Sequence, residues 1–433
     1  MRSAALVLGL VLAACNGKEQ PSPKPKPPPQ AGKRDDEARS IVARIAEPEV
    51  FRRLVRLGRA EPLIEATAKD RDSEVRHLAA VALGKIGGPA ARDRLLELLE
   101  ERNEKDQGAE GWMHLYAAVG LTELADPGTA IRLILNLSEV NPNDSIAARA
   151  HQTRSEEYFT IDAQLCEALL RMGLCELEES LVAQLRRKDR IRVGIDAHAA
   201  LRRSTGLDLP FRYNGSFRTR EADADGWLEE LRKTREQRRA ANPFHAKNAE
   251  FRKDMERMLS WLRGTSVRSQ LTSKNVLRYL GPVAVPFLIE ELSGEGAIGR
   301  RHSAWVLGRL KDVRAAEPLM KLLADEDDES RAQGVDALRR LHHKAAAKQV
   351  RKLLDDPDPK VRAQAVLFLV QTGETSVQES LADKAVLDSI AHLYVHGALA
   401  DREVARSALA TVLGPSLPEA ADAMETRRKA VGR

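Results

Sequence analysis

Three groupings of residues in this chain have the types and spacing that could do chemistry. Gly294, Gly296 and Gly299 spell GxGxxG in the segment GEGAIG, the arrangement that lets a glycine turn bring phosphate to a helix N-terminus. That use requires a strand before the glycines. Val285–Leu292 reads instead as an amphipathic helix, so the segment is expected to be a loop between repeats. His392 and His396 stand four apart and would share one helix face, as two metal ligands do. No glutamate sits between them in the HExxH manner and no third ligand is evident, so two partly exposed helix histidines are expected. The adjacent His342 and His343 fall in a turn and cannot chelate from one face. Cys166 and Cys175 could pair in an oxidising compartment. The helix from Cys166 to Gly173 spans about 10 Å, beyond the roughly 7 Å that bridged Cα atoms allow, so two buried thiols are favoured over a disulfide. No segment supplies a converging nucleophile, base and orienting group. Neither a catalytic residue nor a cofactor or metal is assigned.

The amino-terminal segment has chemistry of another kind. Residues 1–15 read MRSAALVLGLVLAAC, with Arg2 ahead of an apolar run from Ala4 to Ala14. That run is shorter than the ~20 residues a spanning helix needs, so residues 1–14 read as an export signal. Leu12-Ala13-Ala14-Cys15 resembles the lipobox of bacterial lipoproteins. The resemblance implies a lipid on the Cys15 thiol, and two or more acyl chains hold a protein stably on a membrane. An ordinary signal peptide with a chance cysteine is the alternative. Asn16–Arg34 carries six prolines, five basic residues and one acidic residue. It should form a semi-rigid tether reaching up to roughly 60 Å. This tether of net charge +4 accounts for most of the +5 of the whole chain, and the body from Asp35 onward is neutral. The basic balance is therefore suited to anionic headgroups and is no nucleic-acid signature. Asn16 lacks the acidic second position that retains lipoproteins at the inner membrane in some bacteria. The expectation is an envelope protein, outer membrane favoured, with its body in the periplasm or outside.

The elements that would position any site are repeated. Arg300, Arg331 and Arg362 stand 31 residues apart, each opening a run of small and apolar residues. The fullest copy is VRHLAAVALGKIGGPAARDRLLELL, from Val75 to Leu99. Its apolar offsets put one stripe on each of two helices, with Gly87, Gly88 and Pro89 between them. Weaker copies fit around Trp112–Leu135, Asp162–Leu185, Gly194–Ser204, Val267–Leu292 and Arg406–Gly414, with an atypical first copy near Glu47–Ala66. About nine or ten units result, and such self-similarity means a stacked repeat. These residues resemble the bacterial HEAT-like family, in particular the short variant named after phycobilin lyases, whose repeat reads approximately VRxxAAxALGxLGDxxAxxxLxxLL. The resemblance implies an all-α solenoid of stacked hairpins, with the helix opened by VR on the inner surface. It carries over no lyase site.

The expected organisation is a signal (1–14), a lipidated tether (15–34), repeats (35–204), an irregular insertion (205–262), and repeats with a tail (263–433). The insertion, with its TG turn and Trp227-bearing helix, resembles one seen in other bacterial HEAT-like proteins and is expected to cap the first stack. Aromatics are 4% and charged residues 31%, which suits helical stacking of small side chains, and strands should be nearly absent. Acidic loops precede Arg76, Arg331 and Arg362, so these arginines should pair with aspartates of neighbouring units. Trp305 occupies the slot of Val81, Asp336 and Leu367, which should point off the core. With His302 and Arg309 on its own unit, and Arg339 and Arg340 on the next, it forms the expected partner-binding patch. The function expected is a non-enzymatic, membrane-anchored scaffold for another protein, with neither nucleic acid nor small-molecule substrate. A lyase-like enzyme or subunit, and an envelope spacer without a groove ligand, are the alternatives.

Overall fold

The computed structural model describes residues 31–69, 72–100, 110–137, 157–186, 191–373, 394–395 and 402–407, and among them all regular structure is helical. The signal, Cys15, the tether up to residue 30, His392, His396 and most of the copy at 406–414 lie outside the described residues. The chain forms two compact units, residues 1–251 and 252–433.

The first unit opens with α1 (Ala31–Ile41) and continues as hairpins: α2 (Pro48–Leu57) with α3 (Ala60–Lys69), α4 (Ser73–Ile86) with α5 (Pro89–Glu100), and α6 (Glu110–Leu124) with α7 (Ala130–Leu135). The pair α8 (Glu157–Arg171) and α9 (Glu178–Leu185) follows, then α10 (Ile191–Thr205). Local chemistry sets the ends. The Asp72 carboxylate accepts the Glu74 amide at 2.9 Å to start α4, satisfying one of the orphan donors of a first turn. Gly87 and Gly88, with φ of 74° and 90°, stop it in a conformation that side chains with a Cβ avoid. The first helices of successive hairpins pack on one another, α4 on α6, α6 on α8, and α8 on α10. Helix α4 therefore buries an unbroken run from Leu78 to Gly84 rather than one stripe.

The glycine of the repeated ALG triplet has a specific job here. A Cβ on Gly84 would fall on the Gly120 carbonyl, and one on Gly120 would sit 2.6 Å from the Ala80 carbonyl oxygen. The axes of α4 and α6 approach closest where neither residue has a side chain. The second unit repeats the device, where a Cβ on Gly308 would lie 2.7 Å from the Ala337 Cα.

The insertion leaves α10 at Gly206, φ 72°, and leads through an irregular stretch into α11 (Phe217–Ala241). Phe211 and Trp227 are buried, and the His198 ring of α10 meets both, at 5.7 and 5.5 Å between centroids. Asp223, also buried, accepts the Arg212 amide at 2.7 Å and pairs with its guanidinium. Further along, Arg235 reaches both Glu178 and Glu179, at 3.4 and 3.2 Å, and Arg238 donates to Glu178. These bonds hold α11 on the start of α9. The boundary between the units falls within α12 (Ala249–Arg263), inside the 205–262 segment read from the sequence as the insertion. Phe251 packs on Phe244 at 4.9 Å, whereas the carbonyl of Met258 accepts from Ser273, 2.7 Å away. The two ends of α12 thus have partners in different units.

Gly226 supplies a contrast to Gly84. It lies inside α11 with open space around a would-be Cβ. Gly226→Ala should stabilise the first unit by about 0.5–1 kcal/mol through helix propensity alone. Gly84→Ala should instead cost about 1–3 kcal/mol, because backbone must move. Urea unfolding of both variants checks the opposite signs.

The second unit stacks α13 (Val267–Leu280) with α14 (Val285–Glu291), α15 (Ala297–Leu310) with α16 (Ala316–Leu322), α17 (Asp328–Arg340) with α18 (Ala347–Lys352), and then α19 (Pro359–Gln371). The 31-residue arginines form a ladder. Arg300 donates to the Gly294 and Glu295 carbonyls of its own loop, and at 2.7 and 2.9 Å to the Asp325 carboxylate of the next. Arg331 repeats this with the carbonyls of Asp325 and Glu326 and the carboxylate of Asp356. Arg362 takes the Asp356 and Pro357 carbonyls. The expected pairing with an aspartate of a neighbouring unit is seen for Arg331, and also for Arg300, whereas Arg362 bonds carbonyls of its own loop. Arg76 differs, donating to the Thr67 carbonyl at 3.2 Å. Gly294 and Gly296 sit in the loop between α14 and α15, with a helix in front of them as expected, and Gly299 lies in the first turn of α15. His342, φ 53°, is in the turn after α17. Cys166 and Cys175 are both buried, and burial pushes the Cys175 thiol up to about 11.

Candidate partner-binding site

The first helices of the second unit carry two columns of residues at the repeat spacing. Lys274, Trp305, Asp336 and Leu367 occupy one slot on α13, α15, α17 and α19, and Arg278, Arg309, Arg340 and Gln371 occupy the slot one turn further on. Because successive first helices pack side by side, residues in a column are neighbours. Trp305 is half-buried. The Lys274 Nζ stands 5.0 Å from its ring centroid and the Arg309 guanidinium carbon 3.4 Å from it, both within cation–π range. Arg309 also donates to the Trp305 carbonyl at 3.3 Å.

The slot does not point off the core, contrary to the sequence expectation. Val81, Asp336 and Leu367 are all buried, because a first helix has a neighbour on each side and a residue leaving its own hairpin core meets the next unit. Trp305 is partly open where its three counterparts are closed.

Two of the five expected binding residues come together at the indole, Trp305 itself and Arg309. Arg340 is near enough to act on Arg309, but its Nε donates to Asp336 at 2.7 Å. Arg339 pairs with the same buried carboxylate and donates to Gln371 at 2.8 Å, so it is already used within the stack. His302 places Nδ1 3.1 Å from the Leu262 carbonyl, to which it donates in the Nδ1–H tautomer, and burial lowers its basicity. It braces α15 against α12 instead of facing a partner.

The charge balance around the indole is uneven. Among the described residues, Lys274, Arg278 and Arg309 have no carboxylate partner, while Asp336 is taken by Arg339 and Arg340. Burial, with Arg309 and Arg301 adding repulsion, pushes Lys274 down to about 8. Burial with Arg340 lowers Arg309 to about 10, Asp336 opposing and Arg278 assisting. The first unit handles the same region of its first helices differently. There Lys85 pairs with Glu123 at 3.0 Å, Glu123 with Arg171 at 3.7 Å, Arg171 with Glu167 at 3.1 Å, and Glu167 with Arg203 at 2.6 Å. One unit neutralises its column and the other leaves cations over.

The family model described as HEAT repeats matches residues 30–110 and 316–414, and that of the PBS lyase HEAT-like repeat matches 299–325. These segments are HEAT repeats. The chain is similar to human deoxyhypusine hydroxylase at 19% identity, over 73% of this chain and 96% of that one, with a TM-score of 0.25. It is similar to a computationally designed armadillo repeat protein for modular peptide recognition at 15% identity, over 54% and 98%, TM-score 0.24. It is similar to the complex of CpcE and CpcF of phycocyanin lyase from Nostoc sp. PCC7120 at 16% identity, over 83% of this chain and 99% of that one, with a TM-score of 0.23. Among curated proteins none matches the chain.

The HEAT register explains why Lys274 escaped the sequence reading. It lies in a weaker copy, yet one repeat length upstream of Trp305. Extending the period by a single unit would have found it, together with the arginine column. Among the described residues no group of three or more His, Cys, Asp or Glu could hold a metal ion, and no helix is long and apolar enough to cross a membrane.

The lowered basicity of Lys274 gives an expected pH dependence. Its folded value lies below that of an unfolded lysine, near 10.5, so the cost of holding its charge is fully present below about 8. That cost is relieved as pH rises from about 8 to about 10.5, because the unfolded chain then binds more protons. Over this window the difference in melting temperature between Lys274→Met and wild type should shrink, with the variant the more stable at pH 7. Scanning calorimetry at several pH values reads it. A constant difference would mean that Lys274 titrates as an exposed amine.

Proposed function

We propose that this chain is a membrane-anchored, non-enzymatic HEAT-repeat scaffold that binds another protein in the bacterial cell envelope. The observation that carries the binding role is the half-buried indole of Trp305 between Lys274 and Arg309, which have no carboxylate partner among the described residues. Tryptophan and arginine dominate the energetics of protein interfaces, where they cluster in partly enclosed positions. HEAT stacks present a row of first helices as one continuous surface, and repeat architectures of this kind use such surfaces for binding. The anchoring role is supported by Leu12–Cys15 and the proline-rich tether that follows.

The test is affinity capture of the detergent-extracted protein after cross-linking in the membrane, comparing wild type with Trp305→Ala. The variant should lose the captured protein while its melting temperature falls by less than about 4 °C. Equal capture by both would sink the assignment of the site. In the same cells, Cys15→Ala should leave an uncleaved or soluble protein with an intact body. A native protein found wholly in the soluble fraction with a free Cys15 thiol would sink the anchor.

A further inference from the structure

Helix α13 carries more than Lys274 on its open side. Val267, Leu271, Lys274 and Arg278 follow at spacings of four, three and four, which places them within an arc of about 60° over about 16 Å of helix. Val267 and Leu271 are 77% and 56% exposed. Thus an apolar half, at the start of α13, adjoins a cationic half formed by Lys274 and Arg278 with Arg309 from α15. The charged groups around it are Arg301, which lies 3.9 Å from Asp327, and Arg340, which is bound to Asp336. His302 is turned to the Leu262 carbonyl.

We propose that this face of the second unit takes an acidic segment of the protein partner, with one carboxylate seated between Lys274 and Arg309 beside the Trp305 indole and apolar side chains lying along Val267 and Leu271. The inference rests on the scaffold reading and names the chemistry of its partner. Two half-buried cations beside one indole, neither paired with a carboxylate among the described residues and the nearby Asp336 already held by Arg339 and Arg340, are complementary to one anion. Its arrival would restore the basicity that burial and mutual repulsion have taken from Lys274 and Arg309. The footprint favours a peptide over other polyanions. A nucleic acid is bound through a long run of phosphate contacts, whereas here three uncompensated cations adjoin exposed apolar side chains. A bilayer attracts exposed, flexible cations, whereas Lys274 and Arg309 are half-buried and fixed against a ring.

A fluorescein-labelled Glu/Leu peptide, its Gln/Leu counterpart and phosphatidylglycerol vesicles are titrated separately against the full mature chain. The Glu/Leu peptide should bind at least about tenfold more tightly than the Gln/Leu peptide, and Lys274→Gln or Arg309→Gln should each weaken it by about tenfold. Arg309→Lys, which keeps the charge, should retain most of the binding and shows that loss in Arg309→Gln is not misfolding. Acetylation of Lys274 at pH 8, followed by mass spectrometry, should slow when the Glu/Leu peptide is present. Equal binding of the two peptides, or peptide binding indifferent to both Gln variants, overturns the proposal. Vesicle binding that is lost in those variants, with no peptide binding, also overturns it in favour of a lipid surface. If the Glu/Leu peptide fails while Trp305→Ala still abolishes capture of the native partner, the acidic-segment inference falls and the scaffold reading stands. If the peptide binds at Lys274 while capture ignores Trp305, the scaffold site falls instead.

Discussion

Leu83→Ala and Leu307→Ala are each expected to destabilise the unit that holds them by about 2–5 kcal/mol, the cost of a cavity in a packed core. Both side chains are fully buried. Leu83 stands one residue before the contact of Gly84 with Gly120, and Leu307 holds the same place before Gly308 and Ala337. The surrounding atoms cannot collapse into the space, because backbone already touches backbone beside it. In a stack each repeat contacts only its neighbours, so stability is a sum of local and nearest-neighbour terms. Hydrogen exchange in Leu83→Ala should therefore rise first in α4, α5 and α6, while α9 and α10 keep more of their protection. Uniform loss along the whole first unit would contradict nearest-neighbour stacking and indicate one cooperative core.

Arg331→Ala is expected to cost about 3–5 kcal/mol, the usual result of removing one partner from a buried ion pair. Its carboxylate partner, Asp356, has a side chain only 5% exposed, and Arg331 itself is 12% exposed. The substitution would also release the carbonyls of Asp325 and Glu326, which hold the loop between α16 and α17. Arg331→Lys should recover only part of the loss, since an ammonium cannot reproduce the two-pronged contact with the carboxylate. The double replacement Arg331→Met with Asp356→Leu should recover more than lysine does, because no charge is then left buried. Urea unfolding of the four proteins decides the matter. A cost below about 1 kcal/mol for Arg331→Ala would place the pair with surface salt bridges and remove the ladder from the forces that set the repeat register.

Much of the fold was legible because its determinants are local. The apolar offsets in Val75–Leu99, the Gly87-Gly88 break and the capping aspartates Asp72, Asp327 and Asp358 act within a few residues, so α4, α5 and their counterparts follow from periodicity and capping. The 31-residue spacing of Arg300, Arg331 and Arg362 likewise announced a stack and the pairing of each arginine with a loop. The binding patch was legible only in part. Trp305 and Arg309 meet because they are one turn apart on one helix, which spacing alone determines. Asp336 draws in Arg339 and Arg340 from three and four residues along its own helix, which spacing also determines, whereas the Leu262 carbonyl takes His302 and Lys274 arrives from the preceding repeat. Sequence periodicity assigns a residue to a face of its helix. Pairs between helices, such as Lys85 with Glu123 and Arg203 with Glu167, or the meeting of Lys274 with the Trp305 ring, are decided by the tertiary structure, because such contacts form only where the stacked backbones bring two side chains within a few ångströms.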